Sequence, residues 1–389
     1  MSSRIMRVAL NLEQLFQRPP GGIGRYAAEL ARVLPEVGEP GEVLVLPFVA
    51  RHKDAEVKAV MAAAGIEREP VVLPYPRAWL YEAWNRWGQA DPIAMVGGHG
   101  RVRGADVVHA PSLAVPPRNR IPLVVTVHDA APLRFPETYP RRGRRFHRLG
   151  FAAAARRADA LIAPSAAAAD EVAEYTVIER ERIRPIHHGV DHTVASDDDV
   201  ARARDALGLA DRPYVCWAGT LEPRKDVGVL VDAFARAVET HDIPHRLVLV
   251  GPSGWLDGQA EAASRAGALG DRVQLTGAVD PERLRALYRG ADVFALPSRH
   301  EGFGLPVLEA LAQGTAVLAS DLPVLREVAG TAARYAPVGD VEAWTVSLAT
   351  LLGDDAARRE LGAAGIARAA GFTWERCARE HLEVYRSLV

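Results

Sequence analysis

Ser298-Arg299-His300-Glu301-Gly302-Phe303-Gly304-Leu305-Pro306-Val307-Leu308-Glu309-Ala310-Leu311-Ala312 follows a short apolar run, Asp292 to Leu296, and turns into a helical pattern. A strand, a turn with Gly302 and Gly304 on either side of Phe303, and a helix are the expected order. Glu301 lies in the loop and Glu309 eight positions later, inside the helix. Such a turn gathers free backbone N–H groups, the positive end of a helix dipole and two carboxylates at the carboxyl end of a strand. Helix N-termini take phosphate, and open α/β sheets bind ligands at that edge. Carboxylates accept hydrogen bonds from hydroxyls. Phosphate donors beside hydroxyl acceptors suit a nucleotide sugar.

The same alternation runs outward in both directions. Strands are expected at 5–12, 43–46, 71–73, 107–109, 123–128, 160–163 and 183–186, then at 214–217, 247–250, 273–275, 293–296 and 316–319. Helical periodicity fills 22–37, 52–64, 78–87, 141–157 and 166–175, and helices fall between the later strands. Strands separated by helices imply an α/β protein with parallel sheets covered on both faces. At 389 residues the chain exceeds one ordinary core, so two domains are expected, with the acidic stretch 191–211 as the linker zone.

Hydrophobic residues make up 49% and charged residues 25%, as in soluble globular proteins. No stretch approaches the roughly 20 apolar residues of a spanning helix, and Met1 to Arg7 lacks the layout of a signal peptide. Cys216 and Cys377 lie far apart and form no disulfide framework, which fits a reducing, cytoplasmic setting. The net charge of −2 divides unevenly: residues 1–190 hold 26 Lys and Arg against 20 Asp and Glu, residues 191–389 hold 21 against 29. A basic first half fits an anionic partner or a membrane surface, and also fits unselected surface charge. Nucleic acid is disfavoured, because the basic residues are not interleaved with aromatics on strands.

Three further motifs carry chemistry. Ala218-Gly219-Thr220-Leu221-Glu222-Pro223-Arg224-Lys225-Asp226 again lies between a strand and a helix, and Lys225 is one of only three lysines against 44 arginines. A point charge and a flat bidentate fork side by side could hold a diphosphate leaving group. Pro19-Pro20-Gly21-Gly22-Ile23-Gly24-Arg25-Tyr26 follows the first strand, and its glycines admit a close ligand, although a plain strand–helix turn reads the same way. Thr126-Val127-His128-Asp129 ends an apolar strand, where a His-Asp pair can orient a hydroxyl or simply be structural. Asp197-Asp198-Asp199 has the look of a metal motif, but its place in the linker argues against that, and no metal site is expected.

Together these motifs resemble glycosyltransferase family four. Glu301 and Glu309 are similar to that family's Glu-x7-Glu signature, and 219–225 to its phosphate motif. Residues 20–26 and 127–129 resemble its N-terminal motifs, and His188-Gly189-Val190-Asp191 the segment passing between its domains. The resemblance implies a GT-B fold: two Rossmann-like domains with parallel sheets facing across a cleft, residues 1–190 on the acceptor side and 191–372 binding the donor, with a last helix, 373–389, crossing back. It implies a retaining, metal-independent hexosyltransferase. Arg224 and Lys225 would neutralise the diphosphate, and Glu301 would meet the donor sugar. Glu309 would bind the ribose hydroxyls, Phe303, Gly304 and Leu305 would offer backbone N–H groups, and Gly22, Ile23 and Gly24 would close on the donor. His128 would sit beside the transferred sugar. Many members carry Arg where this chain has Thr220; with Arg224 in compensation, the pattern resembles a branch rich in bacterial mannosyltransferases. That branch implies GDP-mannose as the donor and an α-linkage.

For the acceptor, a glycan or a lipid-linked sugar, the residues leave two readings. Trp79, Leu80, Tyr81, Trp84 and Trp87, with Leu80, Trp84 and Trp87 on one helical face, and Arg141, Arg142, Arg144, Arg145 and Arg148 form either core tryptophans and a solvated basic face, or a peripheral seat on the inner face of the membrane. Two rival classes are a GT-B sugar-nucleotide epimerase, which would isomerise donor without any acceptor, and a non-catalytic sugar-nucleotide binder. Intact Arg224, Lys225, Glu301 and Glu309 argue against the latter.

Overall fold

The computed structural model describes residues 5–17, 21–39, 41–91, 104–209, 212–252, 254, 265, 267 and 269–389. The chain divides into two compact units, Met1–Gly189 with Thr373–Val389, and Val190–Phe372. Each is built on one parallel sheet.

In the first unit the strands are β1 (Met6–Asn11), β2 (Val43–Val49), β3 (Val71–Val72), β4 (Val107–Ala110), β5 (Leu123–Thr126), β6 (Ala160–Ala163) and β7 (Ile183–Pro185), in the order β3-β2-β1-β4-β5-β6-β7. Val8 sits between Val45 and Val107 in register. In the second unit β8 (Tyr214–Ala218), β9 (Arg246–Val250), β10 (Val273–Gly277), β11 (Val293–Leu296), β12 (Ala316–Ser320) and β13 (Ala333–Ala336) run in the order β10-β9-β8-β11-β12-β13. Here Val215 lies between Leu247 and Val293. Inner strands such as β5 and β11 are buried at every residue, which is why they read as unbroken apolar runs. In both sheets the strand order reverses once, between β1 and β4 and between β8 and β11. The crevice at such a reversal, outside the carboxyl ends of the strands, is where open α/β sheets take ligands.

The last helix, Trp374–Arg386, belongs to the first unit. Trp374, Cys377, Ala378, Leu382 and Tyr385 are buried at helical spacing, in one core cluster with Tyr26, Leu30 and Leu34, and His381 is buried on the same side. Its start is fixed by Thr373, whose side chain accepts from the Arg376 N–H at 3.1 Å.

Four features depart from the sequence reading. β13, Ala-Arg-Tyr-Ala, lacks the β-branched run that marks a strand and is set by pairing with β12. Asp197–Asp199 open a helix, Asp197–Ala206, in which Ser196 and Asp199 cap each other's backbone; the acids complement the helix N-terminus inside the stretch read as linker. β5 stops at Thr126, leaving His128 beyond the strand end. The Arg77–Glu82 helix widens into a π-helical turn over Ala83–Trp87, so Leu80 and Trp84 are buried while Trp87 is half exposed. Among the described residues no helix is long and apolar enough to cross a membrane.

Candidate active site

The loop after β8 and the loop after β11 meet at the reversal point of the second sheet. The first leaves β8 through Gly219, whose carbonyl lies so close to Gly251 that a Cβ there would fall 1.8 Å from it; only glycine fits at Gly251, with its φ of +141°. Pro223–Lys225 then form one 3-10 turn, with Pro223 supplying the fixed φ of its start. Asp226, left-handed at φ 48°, redirects the chain into the helix Val227–His241.

Three bonds tie this turn to the second loop. The Arg299 N–H donates to the Arg224 carbonyl at 2.9 Å. Arg224 Nη1 donates to the His300 carbonyl at 2.7 Å. Lys225 Nζ donates to Glu301 Oε1 at 2.7 Å. Ser298 Oγ, fully buried, donates to the same oxygen at 2.6 Å, while Arg224 Nη1 lies 3.6 Å from Oε2. Glu222 in turn accepts from Arg224 Nη2 at 2.5 Å. Lys225, Glu222 and Glu301 are all buried. Burial by itself would raise the Glu301 carboxyl. The Lys225 and Arg224 charges and the hydrogen bonds from Lys225 and Ser298 outweigh it and hold the group at about 2. Glu301 is therefore a carboxylate at any working pH, and its cations stay close at hand.

Past Glu301 the chain passes buried Phe303 to Gly304, which has φ +93° and a would-be Cβ 2.5 Å from Leu325. Leu305–Ala312 then begins, with Pro306 in its first turn. Pro306 has no N–H, and the Val307 and Leu308 N–H groups donate to the Gly304 carbonyl at 3.0 and 3.2 Å, so within the first turn it is the Leu305 amide that is left to meet a ligand. One turn on, half-buried Glu309 accepts from the Tyr288 hydroxyl through Oε2 at 2.8 Å.

The first unit brings together the motifs of its own half. Gly21 caps the helix Gly22–Val33, so Gly22, Ile23 and Gly24 form a helical first turn; Pro19 and Pro20 lie outside the described residues. Tyr26, next along that helix, meets His128 edge-on at 5.3 Å between ring centroids. His128 Nε2 donates to the Pro111 carbonyl at 2.9 Å. Burial lowers its pKa, partly offset by that carbonyl and by Asp129, so the imidazole is neutral. Asp129 itself accepts from the Ala131 N–H at 2.9 Å. Tyr26 further bonds Thr126 and His381, at 2.8 and 2.6 Å, tying the glycine turn to β5 and to the last helix.

Arg224, Lys225 and Glu301 thus form one bonded cluster, with Thr220 at the exit of β8 in the same loop, and Gly22 to Gly24 share a helix with the ring that touches His128. Sequence reasoning gave no role to Ser298, Glu222 or Tyr288. Ser298 and Glu222 stand inside the quoted motifs, but their burial comes from the two loops packing on each other. Tyr288 has no local signal, since it meets Glu309 across 21 residues.

The comparisons with known proteins bear on what this geometry serves. The family profile described as Glycosyl transferases group 1 matches residues 199–368, and that described as Glycosyltransferase Family 4 matches residues 20–194. The chain belongs to the family 4 glycosyltransferases. Among the relatives of this glycosyltransferase is the O-antigen chain mannosyltransferase B of Escherichia coli, 27% identical over 95% of this chain and 97% of that protein. The D-inositol 3-phosphate glycosyltransferase of Nocardia farcinica is 35% identical over 69% and 62%. The serotype-specific mannosyltransferase WbdA of Escherichia coli is 32% identical over 70% and 34%. The chain therefore spans nearly all of the first relative, under two thirds of the second and about a third of the third. In fold it is similar to the Anabaena protein HepE, solved with UDP and glucose (TM-score 0.76, 21% identity, 98% of this chain and 100% of that one). It is equally similar to the sucrose-phosphate synthase of Thermosynechococcus elongatus (0.77, 23%, 98% and 99%). The glycosyltransferase has the GT-B fold.

Proposed function

We propose that this glycosyltransferase moves a hexose, mannose in our reading, from GDP-mannose to a glycan or lipid-linked acceptor, forming an α-linkage with retention, in the cytoplasm. The observation that carries the donor half is the Arg224–Lys225–Glu301 cluster at the β8/β11 reversal. Lys225 has three N–H donors and spends one on Glu301; the others serve the diphosphate. Glu301 Oε1 already accepts from Lys225 and Ser298, so Oε2 is the oxygen for a sugar hydroxyl. Glu309 takes the ribose hydroxyls, and the Leu305 N–H at the head of Leu305–Ala312 takes a phosphate or sugar oxygen. As the glycosidic bond breaks, negative charge grows on the leaving diphosphate, and fixed cations in a dry site favour that state over the ground state. His128 is neutral and held by Pro111. The mannosyl preference draws on the Escherichia coli relatives named as mannosyltransferases and on the Thr220-to-Lys225 pattern.

The test is a thermal-shift and calorimetry panel of GDP, UDP and ADP with their sugars, followed by proton resonance of the product's anomeric centre. GDP and GDP-mannose should raise the melting temperature, Glu309→Gln should weaken free GDP, and the product should be α-linked. Turnover with UDP-glucose and none with GDP-mannose removes mannose. A β-linked product from the α-donor removes retention, and diphosphate affinity unchanged in Glu309→Gln removes the ribose role.

A further inference from the structure

The Arg141–Arg157 helix contains seven arginines and no acid. Its inner side is closed by buried Gly150, Phe151, Ala153 and Ala154. Arg141, Arg145 and Arg148 stand one helical row apart, at i, i+4 and i+7, and all three are exposed, as is Arg142. Beside this row lies the Arg77–Trp87 segment. Tyr81 stacks on Phe146 at 5.6 Å, and Arg145 Nη2 reaches Glu82 at 2.5 Å. Glu82 is the sole acid in either segment, and it is already engaged by Arg145 and by Arg86 at 3.3 Å. In line with Glu82 stands Trp79, 40% exposed and stacked on Tyr75 at 4.0 Å; Trp87 is 50% exposed, with the Arg86 guanidinium 5.6 Å above its ring.

Large aromatics left in water beside an acid-free row of arginines are costly unless something covers them. Tryptophan and tyrosine favour the headgroup level of a bilayer, where one side is apolar and the other wet, and exposed arginines favour anionic headgroups. Nucleic acid fits less well, because Tyr75 and Trp79 spend their faces on each other rather than offering them to bases. We propose that this face of the first unit, with Trp79 and Trp87 inserted at headgroup depth and Arg141, Arg142 and Arg148 on the phosphates, is a docking surface for an anionic bilayer. It stands independently of the donor assignment.

The test is co-sedimentation of the full chain with vesicles of phosphatidylcholine alone and with about one third phosphatidylglycerol at low salt. The wild type should sediment with the anionic vesicles and be released as salt approaches about 1 M. Arg141→Gln, Arg142→Gln and Arg148→Gln together should lower the partition constant about a hundredfold, and Arg148→Gln alone, for use if the triple variant melts early, about fivefold. Trp79→Ala with Trp87→Ala should weaken binding at low salt without changing its salt dependence. Equal sedimentation with neutral vesicles, or unchanged binding by the arginine variants, overturns the proposal. So does displacement from the vesicles by polyuridylate at equal phosphate concentration, which would assign the face to RNA.

Discussion

Lys225 is a buried cation in a chain that otherwise uses arginine, and its partners explain the choice. A guanidinium at this site would need a planar acceptor pair, whereas Glu301 Oε1 is already shared with Ser298 at 2.6 Å and offers a single lone pair along the 2.7 Å line to Nζ. A compact ammonium satisfies that geometry and keeps donors for a diphosphate. Lys225→Ala removes the cation but leaves Glu301 with Arg224 and Ser298, so the loop keeps much of its support. The expected outcome is a loss of turnover of about a hundredfold to a thousandfold, the range for deleting one fixed electrostatic donor, with a much smaller shift in melting temperature. Lys225→Arg should recover little of it. Steady-state kinetics beside a melt check this, and near-normal turnover in the folded variant would refute the assignment.

At the scale of elements, the helix Leu305–Ala312 is aimed by its first joint. Gly304 is left-handed and packed against Leu325, so Gly304→Ala meets both a strained backbone and a 2.5 Å approach to Leu325. The helix start must shift, and with it the Leu305 amide and Glu309. We expect Gly304→Ala to weaken nucleoside diphosphate binding at least tenfold and to lower stability by about 1–2 kcal/mol, the cost of the left-handed residue; calorimetry and urea unfolding measure the two. This joint was readable in advance, because Gly-Phe-Gly-Leu-Pro between an apolar run and a helical pattern leaves few other geometries. The β1–β12 strands were readable for the same reason, as apolar runs between turn residues. β13 was not, because Ala333–Ala336 becomes a strand through β12 alone. Nor was the π-helical turn that turns Trp87 outward while Trp84 is buried, since a 3.6 period puts both on one side. The Tyr288–Glu309 bond and the burial of Ser298 depend on packing between distant segments, which a local pattern does not carry.

Across the whole molecule, the two units keep their charge in opposite ways, and acid should separate them. In the first, burial lowers His109, His188, His128 and His381 below 6.5, His381 to about 4. With the rings neutral, every hydrogen bond among them is satisfied. His381 Nδ1 donates to the Cys377 carbonyl at 2.7 Å, so Nε2 must accept from Tyr26; Tyr26 accepts from Thr126, Thr126 from His109 Nε2, and His109 Nδ1 from Tyr385 at 2.7 Å. Protonating either histidine reverses a donor in that chain. These rings are neutral folded and take a proton unfolded, so their contribution is complete above about 6.5 and is lost as pH falls from there through the lowered folded values. In the second unit Glu301 is depressed from 4.5 to about 2, so its contribution is complete above 4.5 and fades only toward 2. Between about 6.5 and 4.5 the first unit therefore loses stability while the Glu301 cluster does not. Hydrogen exchange across that range, corrected for intrinsic rate, should show protection falling first in Gly22–Val33 and Trp374–Arg386 and persisting in Leu305–Ala312. Calorimetry should show the transition that responds to nucleoside diphosphate moving least. Loss of protection in Leu305–Ala312 ahead of the last helix would mean that the buried imidazoles do not govern the acid limb.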